Sequence, residues 1–232
     1  MTVVAIHQPN YLPWLGYFAK IARADVLVFL DDVQYSKNSY INRVQIDSRG
    51  QPRWLTLPVS FRFGDRINQV RIVDADWRRS HIDSLKTHYA GAVAFRPTLE
   101  LVEDFFARAP EGDLAKVNQF LIAELAKALA LRCEFRRSSE LEITSEGARR
   151  LVDIVHKIAP GGTYLSGKGG ANYQEPQEFS AQGVTLAYLD FVPPAYNQGH
   201  DGFLPGLSVV DAVFRLGVKQ TSALVERAIA PA

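Results

Sequence analysis

The chain opens on a short β-branched apolar run, residues 3–7, which breaks into the polar, proline-containing segment Gln8-Pro9-Asn10-Tyr11-Leu12-Pro13. A buried strand running into a loop has that pattern. Residues 14–23 lack proline and keep Phe18, Ile21 and Ala22 at helical spacing from Trp14 and Leu15, with Pro13 suited to the first turn of a helix. Val26-Leu27-Val28-Phe29-Leu30 is then unbroken apolar, as in a strand covered on both faces, and Asp31-Asp32 closes it. Strand, helix and strand within about thirty residues make a βαβ unit, whose strands lie parallel through a right-handed crossover.

From residue 35 to 72, aromatic and β-branched residues alternate with Asn, Arg and Ser, which predicts extended segments joined by turns at Arg49-Gly50 and Phe63-Gly64-Asp65. Helices are expected over 77–89 and 99–109, and behind an Asp113 cap through residue 131. A second alternating unit follows. It comprises a strand-like stretch 133–141, a helix 145–159 capped by Thr144 and stopped by Pro160-Gly161-Gly162, and a strand 163–166. A short helix 175–181, a strand 184–191, a helix 207–216 stopped by Gly217 and a last helix near 222–229 complete the pattern. The expected fold class is α/β, a mostly parallel Rossmann-like sheet flanked by helices with an inserted extended and helical middle region. No repeat, low-complexity tract or linker divides the chain, so one domain over 1–232 is expected, with about 35–130 as a candidate subdomain.

Composition narrows the function classes. The 232 residues are 47% hydrophobic, enough for an ordinary core, and 26 Lys and Arg against 25 Asp and Glu leave a formal charge of +1. Such a balance gives no field to attract duplex nucleic acid or an anionic membrane. The single cysteine, Cys133, excludes an internal disulfide and a Cys-rich zinc site and suits a reducing compartment. No basic-flanked apolar leader opens the sequence and no run reaches the roughly 18 to 20 apolar residues of a membrane span, so a soluble cytoplasmic product is expected.

In an open parallel sheet, ligands sit beyond the carboxyl ends of the strands, which selects three loops. The first holds His7, Gln8, Asn10 and Tyr11. His7 suits a general base, acid or hydrogen-bond donor, or simply the cap of a strand end. The second holds Asp31 and Asp32, either of which suits proton transfer, metal binding or turn capping. Adjacent strand residues face opposite ways, so at most one enters a site, and no third carboxylate stands at a metal-site spacing. Lys37, Asn38, Asn42 and Arg43 follow as a cationic, amide-rich cluster suited to a phosphate, carboxylate or sugar, or to solvent. The third loop is Ser166-Gly167-Lys168-Gly169-Gly170 with Tyr173, whose glycines let backbone amides approach an anion. It has neither the Walker spacing nor G-x-G-x-x-G, and an ordinary strand-to-helix connection would look the same.

Other polar residues have structural readings. His81, His88 and Tyr89 are expected at a surface or between helices, His156 at a helix carboxyl end and Cys133 buried and inert. Asp211 reads as a helix cap, and Asp190 stays open. No G-x-S-x-G elbow is present. Tyr11, Tyr35, Tyr40 and Trp54 could stack on a sugar or base.

The opening Ile6-His7-Gln8-Pro9-Asn10-Tyr11-Leu12-Pro13-Trp14-Leu15-Gly16-Tyr17-Phe18 resembles the WbqC-like family. So do Phe29-Leu30-Asp31-Asp32-Val33-Gln34 with Asn42-Arg43, Tyr164-Leu165-Ser166-Gly167 with Gly169-Gly170 and Tyr173, and the closing segment from Phe203-Leu204-Pro205-Gly206 to Asp211. The resemblance runs nearly end to end. It implies a bacterial role in surface polysaccharide, O-antigen or specialised-metabolite pathways, as a transferase. A second likeness is to the nucleotidylyltransferase layout, in which H-x-G-H opens the helix after the first strand. Here Trp14-Leu15-Gly16-Tyr17 keeps the glycine and replaces both histidines, so His7, Lys37 or Lys168 would have to supply the positive charge.

The expected function is transfer of an acyl or aminoacyl group to an amine or hydroxyl of a small sugar-like substrate, an aminosugar or nucleotide sugar. His7 or Asp32 would take the proton, while Asn38, Arg43 and the 166–170 amides hold the donor or oxyanion. The alternatives are a nucleotidyltransferase-like enzyme and a non-catalytic ligand-binding partner in a biosynthetic assembly. No cofactor is assigned.

Overall fold

A computed structural model describes residues 1–172 and 174–228, with the backbone alone for 171 and 172. Among the described residues, five strands form an all-parallel sheet. They are β1 (Val3–His7), β2 (Val26–Phe29), β7 (Glu134–Arg137), β8 (Thr163–Gly167) and β9 (Thr185–Leu189), in the order β7-β2-β1-β8-β9. The middle region supplies two antiparallel hairpins, β3 (Arg43–Asp47) with β4 (Pro52–Thr56) and β5 (Val59–Ser60) with β6 (Arg71–Ile72). Three helices follow in sequence, α2 (Trp77–Tyr89), α3 (Phe95–Arg108) and α4 (Leu114–Ala128). The expected α/β class, its flanking helices and the mixed middle region are all present.

β1 is central because the chain leaves it in both directions. The first crossover, through α1 (Leu15–Ala22), carries it to β2, and the later one, through α5 (Gly147–Ile158), returns it to β8 on the far side of β1. Right-handed crossovers running opposite ways place their helices on opposite faces. Alternation along β1 agrees: Ala5 packs in one apolar cluster with Phe18 and Ile21 of α1, while Val4 and Ile6 pack in another with Val152, Ile154 and Val155 of α5. The first cluster runs on without a break into the middle region through Trp77, Leu85, Phe106 and Leu121. Burying each such side chain contributes about 1.5 to 3 kcal/mol.

α6 (Pro176–Ser180), α7 (Val209–Leu216) and α8 (Val218–Arg227) complete the described chain. Several boundaries differ from the sequence pattern for local reasons. Helix α3 begins four residues before 99 because Pro97 falls in its first turn, where no amide partner is needed. Thr144 caps nothing; α5 starts at Gly147, whose φ of 58° turns the chain left-handed, and Glu146 takes the cap position. Gly217, at φ 82°, ends α7 and starts α8 at once, four residues ahead of the expected start. The expected last helix reaches 229, outside the described residues. No helix among the described residues is long and apolar enough to cross a membrane.

Candidate functional site

The sheet order places a divergence between β1 and β8, the position where an open parallel sheet leaves a crevice at its carboxyl edge. The register Ala5 to Leu165, continued two residues, sets His7 level with Gly167. A cavity of about 620 Å³ opens there, walled by His7, Gln8, Ser166, Gly167, Gly169 and Gly170, with Ile6, Leu30 and Leu151 among its apolar surfaces. The first and third predicted loops therefore meet in one hollow.

The His7 loop is held from three sides. Gln8 carbonyl oxygen accepts from Tyr17 hydroxyl at 3.1 Å, and Pro9 carbonyl oxygen accepts from Asn118 Nδ2 at 2.9 Å. Asn118, fully buried on α4, also donates to Ile41 carbonyl oxygen at 2.7 Å, tying the first loop to the second. From the chain's other end, Ser208 caps α7 and donates to Leu12 carbonyl oxygen at 2.7 Å. The closing Leu207-Ser208-Val209 motif thus braces the opening one.

His7 lies half-buried against the Tyr17 ring, centroids 4.6 Å apart. Its Nδ1 sits 3.0 Å from Gln8 carbonyl oxygen. A carbonyl only accepts, so Nδ1 carries the proton and Nε2 keeps its lone pair. Burial, reinforced by the nearby positive charge of Lys20, lowers the imidazolium to about 3, so the ring is neutral at physiological pH.

Lys20 is the least expected member of the site. It rises from α1 into the hollow, is 7% exposed, and has no carboxylate within ion-pair distance among the described residues. Burial lowers its ammonium from 10.5 to about 8, which leaves it mostly charged at pH 7. A methyl group placed on Gly167 would meet Lys20 Nζ at 3.6 Å, so the amine reaches across from α1 to the end of β8. Gly170 is required for space: any side chain there would collide with Ser166 Oγ and Gln174 Oε1. Arg150 of α5 forms the opposite wall. It pairs with Asp32 at 2.5 Å and folds back onto the carbonyls of Ile143 and Ser145.

The second loop reaches the hollow through Leu30 and Val33 rather than its carboxylates. Asp31 is 3% exposed and accepts from Gln119 Nε2, Ser138 Oγ, and Ser139 amide and hydroxyl, while Asp32 accepts from Ser138 Oγ and Arg150. Both act as anchors for the segment after β7. Lys37 and Asn38 are exposed, and Arg43 lies over the Trp54 ring at 4.0 Å with Nη2 donating to Asn38 carbonyl oxygen. None of these three lines the cavity. Asn10 and Tyr11 are buried and do not line it, with Tyr11 hydroxyl 2.7 Å from His81 Nδ1. Lys168 is exposed and pairs with Asp190 at 2.5 Å. Tyr173 lies outside the described residues.

Three side chains with structural expectations are placed differently. His81 is buried, bridging Tyr11 hydroxyl and Thr56 carbonyl oxygen, because it shares a helix face with Trp77 and Leu85. Asp211 is no simple cap: it is fully buried and accepts from Tyr89 and Tyr196 hydroxyls at 2.9 and 2.6 Å. Cys133 is half-buried, and burial pushes its thiol up to about 12, which keeps it protonated.

Sequence reasoning passed over Lys20, Tyr17 and Arg150 as site residues. Lys20 left a signal: it is the one charge in an eight-residue helix of which seven residues are buried. Arg150 left none, since its partner lies 118 residues away. Among the described residues, no group of three or more His, Cys, Asp or Glu gathers as metal ligands would.

The pattern of the WbqC-like protein family matches residues 8–223. The chain is similar to the uncharacterized protein Rv1507c of Mycobacterium tuberculosis, with 28% identity over 222 residues covering 94% of this chain and 96% of the relative. No solved structure matches it.

Proposed function

The chain belongs to the WbqC-like protein family, and from that premise we propose a small-molecule transferase of surface-polysaccharide or related specialised biosynthesis. It moves an acyl or aminoacyl group onto an amine or hydroxyl of a sugar-like substrate. The observation that carries this reading is the pairing, in one hollow, of a neutral His7 whose Nε2 is unprotonated with the buried ammonium of Lys20, which has no carboxylate partner among the described residues.

The substrate amine attacks the acyl carbonyl carbon while its proton passes to His7 Nε2. The carbonyl oxygen becomes an oxyanion beside Lys20 and the amides of the 167–170 turn. Collapse breaks the bond to the leaving group, which takes the proton from His7, so the imidazole ends as it began. Burial is the larger cause of the lowered basicity of His7, and an anion against Lys20 offsets the smaller part that comes from that charge. Asp32, committed to Arg150 and Ser138, orients that arginine at the wall.

Mass spectrometry of the protein with aminosugars and acyl thioesters or acyl adenylates tests the reading. Product is expected from the wild type, with a loss of about 10² to 10⁴-fold in rate for His7→Ala at an unchanged melting temperature. Equal rates would remove His7 from the mechanism. Saturable binding without product from any pairing would favour the non-catalytic partner. The nucleotidyltransferase-like alternative is supported by the same Lys20 and glycine turn, which suit a phosphate; there, an NTP with Mg²⁺ raises the melting temperature and acyl donors alone do not.

A further inference from the structure

The hollow has two chambers. Beside the larger one lies a smaller cavity of about 230 Å³, lined by Trp14, Tyr17, Leu189 and Phe191 with Lys168 at its edge. His7, Lys20, Gly167 and Gly169 line both chambers and so form the junction between them. The small chamber is aromatic: Trp14 and Phe191 stand perpendicular with ring centroids 5.2 Å apart. Its shape depends on Gly16, because the Trp14 indole lies across that residue and any side chain there would come within 2.5 to 2.9 Å of the ring.

The chemistry of the three parts differs. At the junction stand a buried ammonium without a counter-charge among the described residues and glycine backbone that an anion can approach, which is the make-up of a phosphate seat. The small chamber has aromatic walls and an imidazole, suited to one sugar ring whose C–H face stacks and whose polar groups face His7. The large chamber has the volume of an ordinary ligand pocket, apolar surfaces from Ile6, Leu30 and Leu151, and Arg150 at its wall, suited to a planar, polar-edged body.

We infer that one ligand spans both chambers, a nucleoside diphosphate joined to a single sugar, with the diphosphate at Lys20, the sugar in the small chamber against the Trp14 and Phe191 walls, and the nucleoside in the larger chamber. This rests on the reading of the hollow as the substrate site and names its acceptor class. It also orients that acceptor, since an amine or hydroxyl of the sugar then meets His7.

Titration calorimetry with UDP, dTDP, GDP and CDP and with their hexose conjugates tests the inference. For at least one base, the conjugate should bind about tenfold or more tightly than its bare diphosphate, a gain of about 1.4 kcal/mol. Gly16→Ala should erase that gain while leaving the bare diphosphate within about twofold, and Phe191→Ala, at the mouth and less exposed to a folding defect, should do the same. Lys20→Met should weaken both ligands by about tenfold or more, as loss of a charge-assisted contact does. Equal binding of conjugate and diphosphate, equal weakening of both by the small-chamber variants, or no binding of any diphosphate would each overturn the inference. If no nucleotide binds and free aminosugars are still acylated in a His7-dependent way, the transferase reading stands alone. If conjugates bind as described and no group is transferred, the two-chamber site stands and the transferase reading falls.

Discussion

Replacing Lys20 with methionine should strengthen the fold and weaken anion binding together. The ammonium is 7% exposed and has no carboxylate partner among the described residues, so it is buried at a cost. Its fall from 10.5 to about 8 measures that cost: at about 1.4 kcal/mol per pH unit, about 3 kcal/mol. Because the folded value lies below the unfolded one, the penalty is full below about pH 8. Between about 8 and 10.5 the unfolded chain holds the extra proton, so wild-type stability rises with pH across that window and the penalty is gone above it. A methionine of similar length keeps the packing and removes the charge. Urea unfolding followed by the fluorescence of the three tryptophans should therefore show the variant about 3 kcal/mol more stable at pH 7, roughly 5 to 10 °C in melting temperature, with the gap closing toward pH 10.5. Millimolar pyrophosphate should raise the wild-type midpoint more than that of the variant. A variant less stable at pH 7, or a gap that ignores pH, would refute the picture of an uncompensated buried ammonium.

Other perturbations probe the supports of the site. Asn118→Ala leaves the carbonyls of Pro9 and Ile41 without their donor and should cost about 2 to 4 kcal/mol in urea unfolding. Asp211→Ala strands the buried hydroxyls of Tyr89 and Tyr196 and should cost about 2 to 5 kcal/mol, while Tyr196→Phe should cost no more than about 1.5. Burial lowers His7 to about 3 and His81 to about 4, so the unfolded chain takes up protons that the folded chain refuses as pH falls from 6.5. Stability should drop across that range, and His81→Gln should reduce the slope by up to about 1.4 kcal/mol per pH unit; an unchanged slope would show that His81 is not held neutral.

The layers of the fold were legible because the two strands of the opening unit are short, apolar and bounded by polar turns, as in Val26–Phe29 closed by Asp31-Asp32. Helix α2 matched its pattern at both ends, 77–89. The stop of α7 at Gly217 was legible too, but the starts of α5 at Gly147 and of α8 directly after Gly217 were not, since glycine tolerates a left-handed φ without announcing which neighbour will be the cap. The site was half legible. The strand-end rule anticipates that His7 and the 166–170 turn meet at one hollow, because it follows from topology alone. It equally selects Lys37, Asn38 and Arg43, none of which lines the hollow, since spacing along the chain does not say where the loop before β3, or the first residue of β3, will lie. Arg150 comes from a remote helix, and only the packing of α5 against the far face brings it to Asp32.

The divergence at β1 also separates the two walls in the gene. Trp14, Tyr17 and Lys20 are encoded in one stretch, and Arg150 with the 166–170 bend in another well over a hundred codons downstream. Each compartment nevertheless draws on both stretches, the larger on Ile6, Gln8 and Leu30 as well as Leu151 and Arg150, the smaller on Trp14 and Tyr17 as well as Leu189 and Phe191, so a change in either stretch is felt in both. A single splice between the two stretches would therefore cut through both compartments at once.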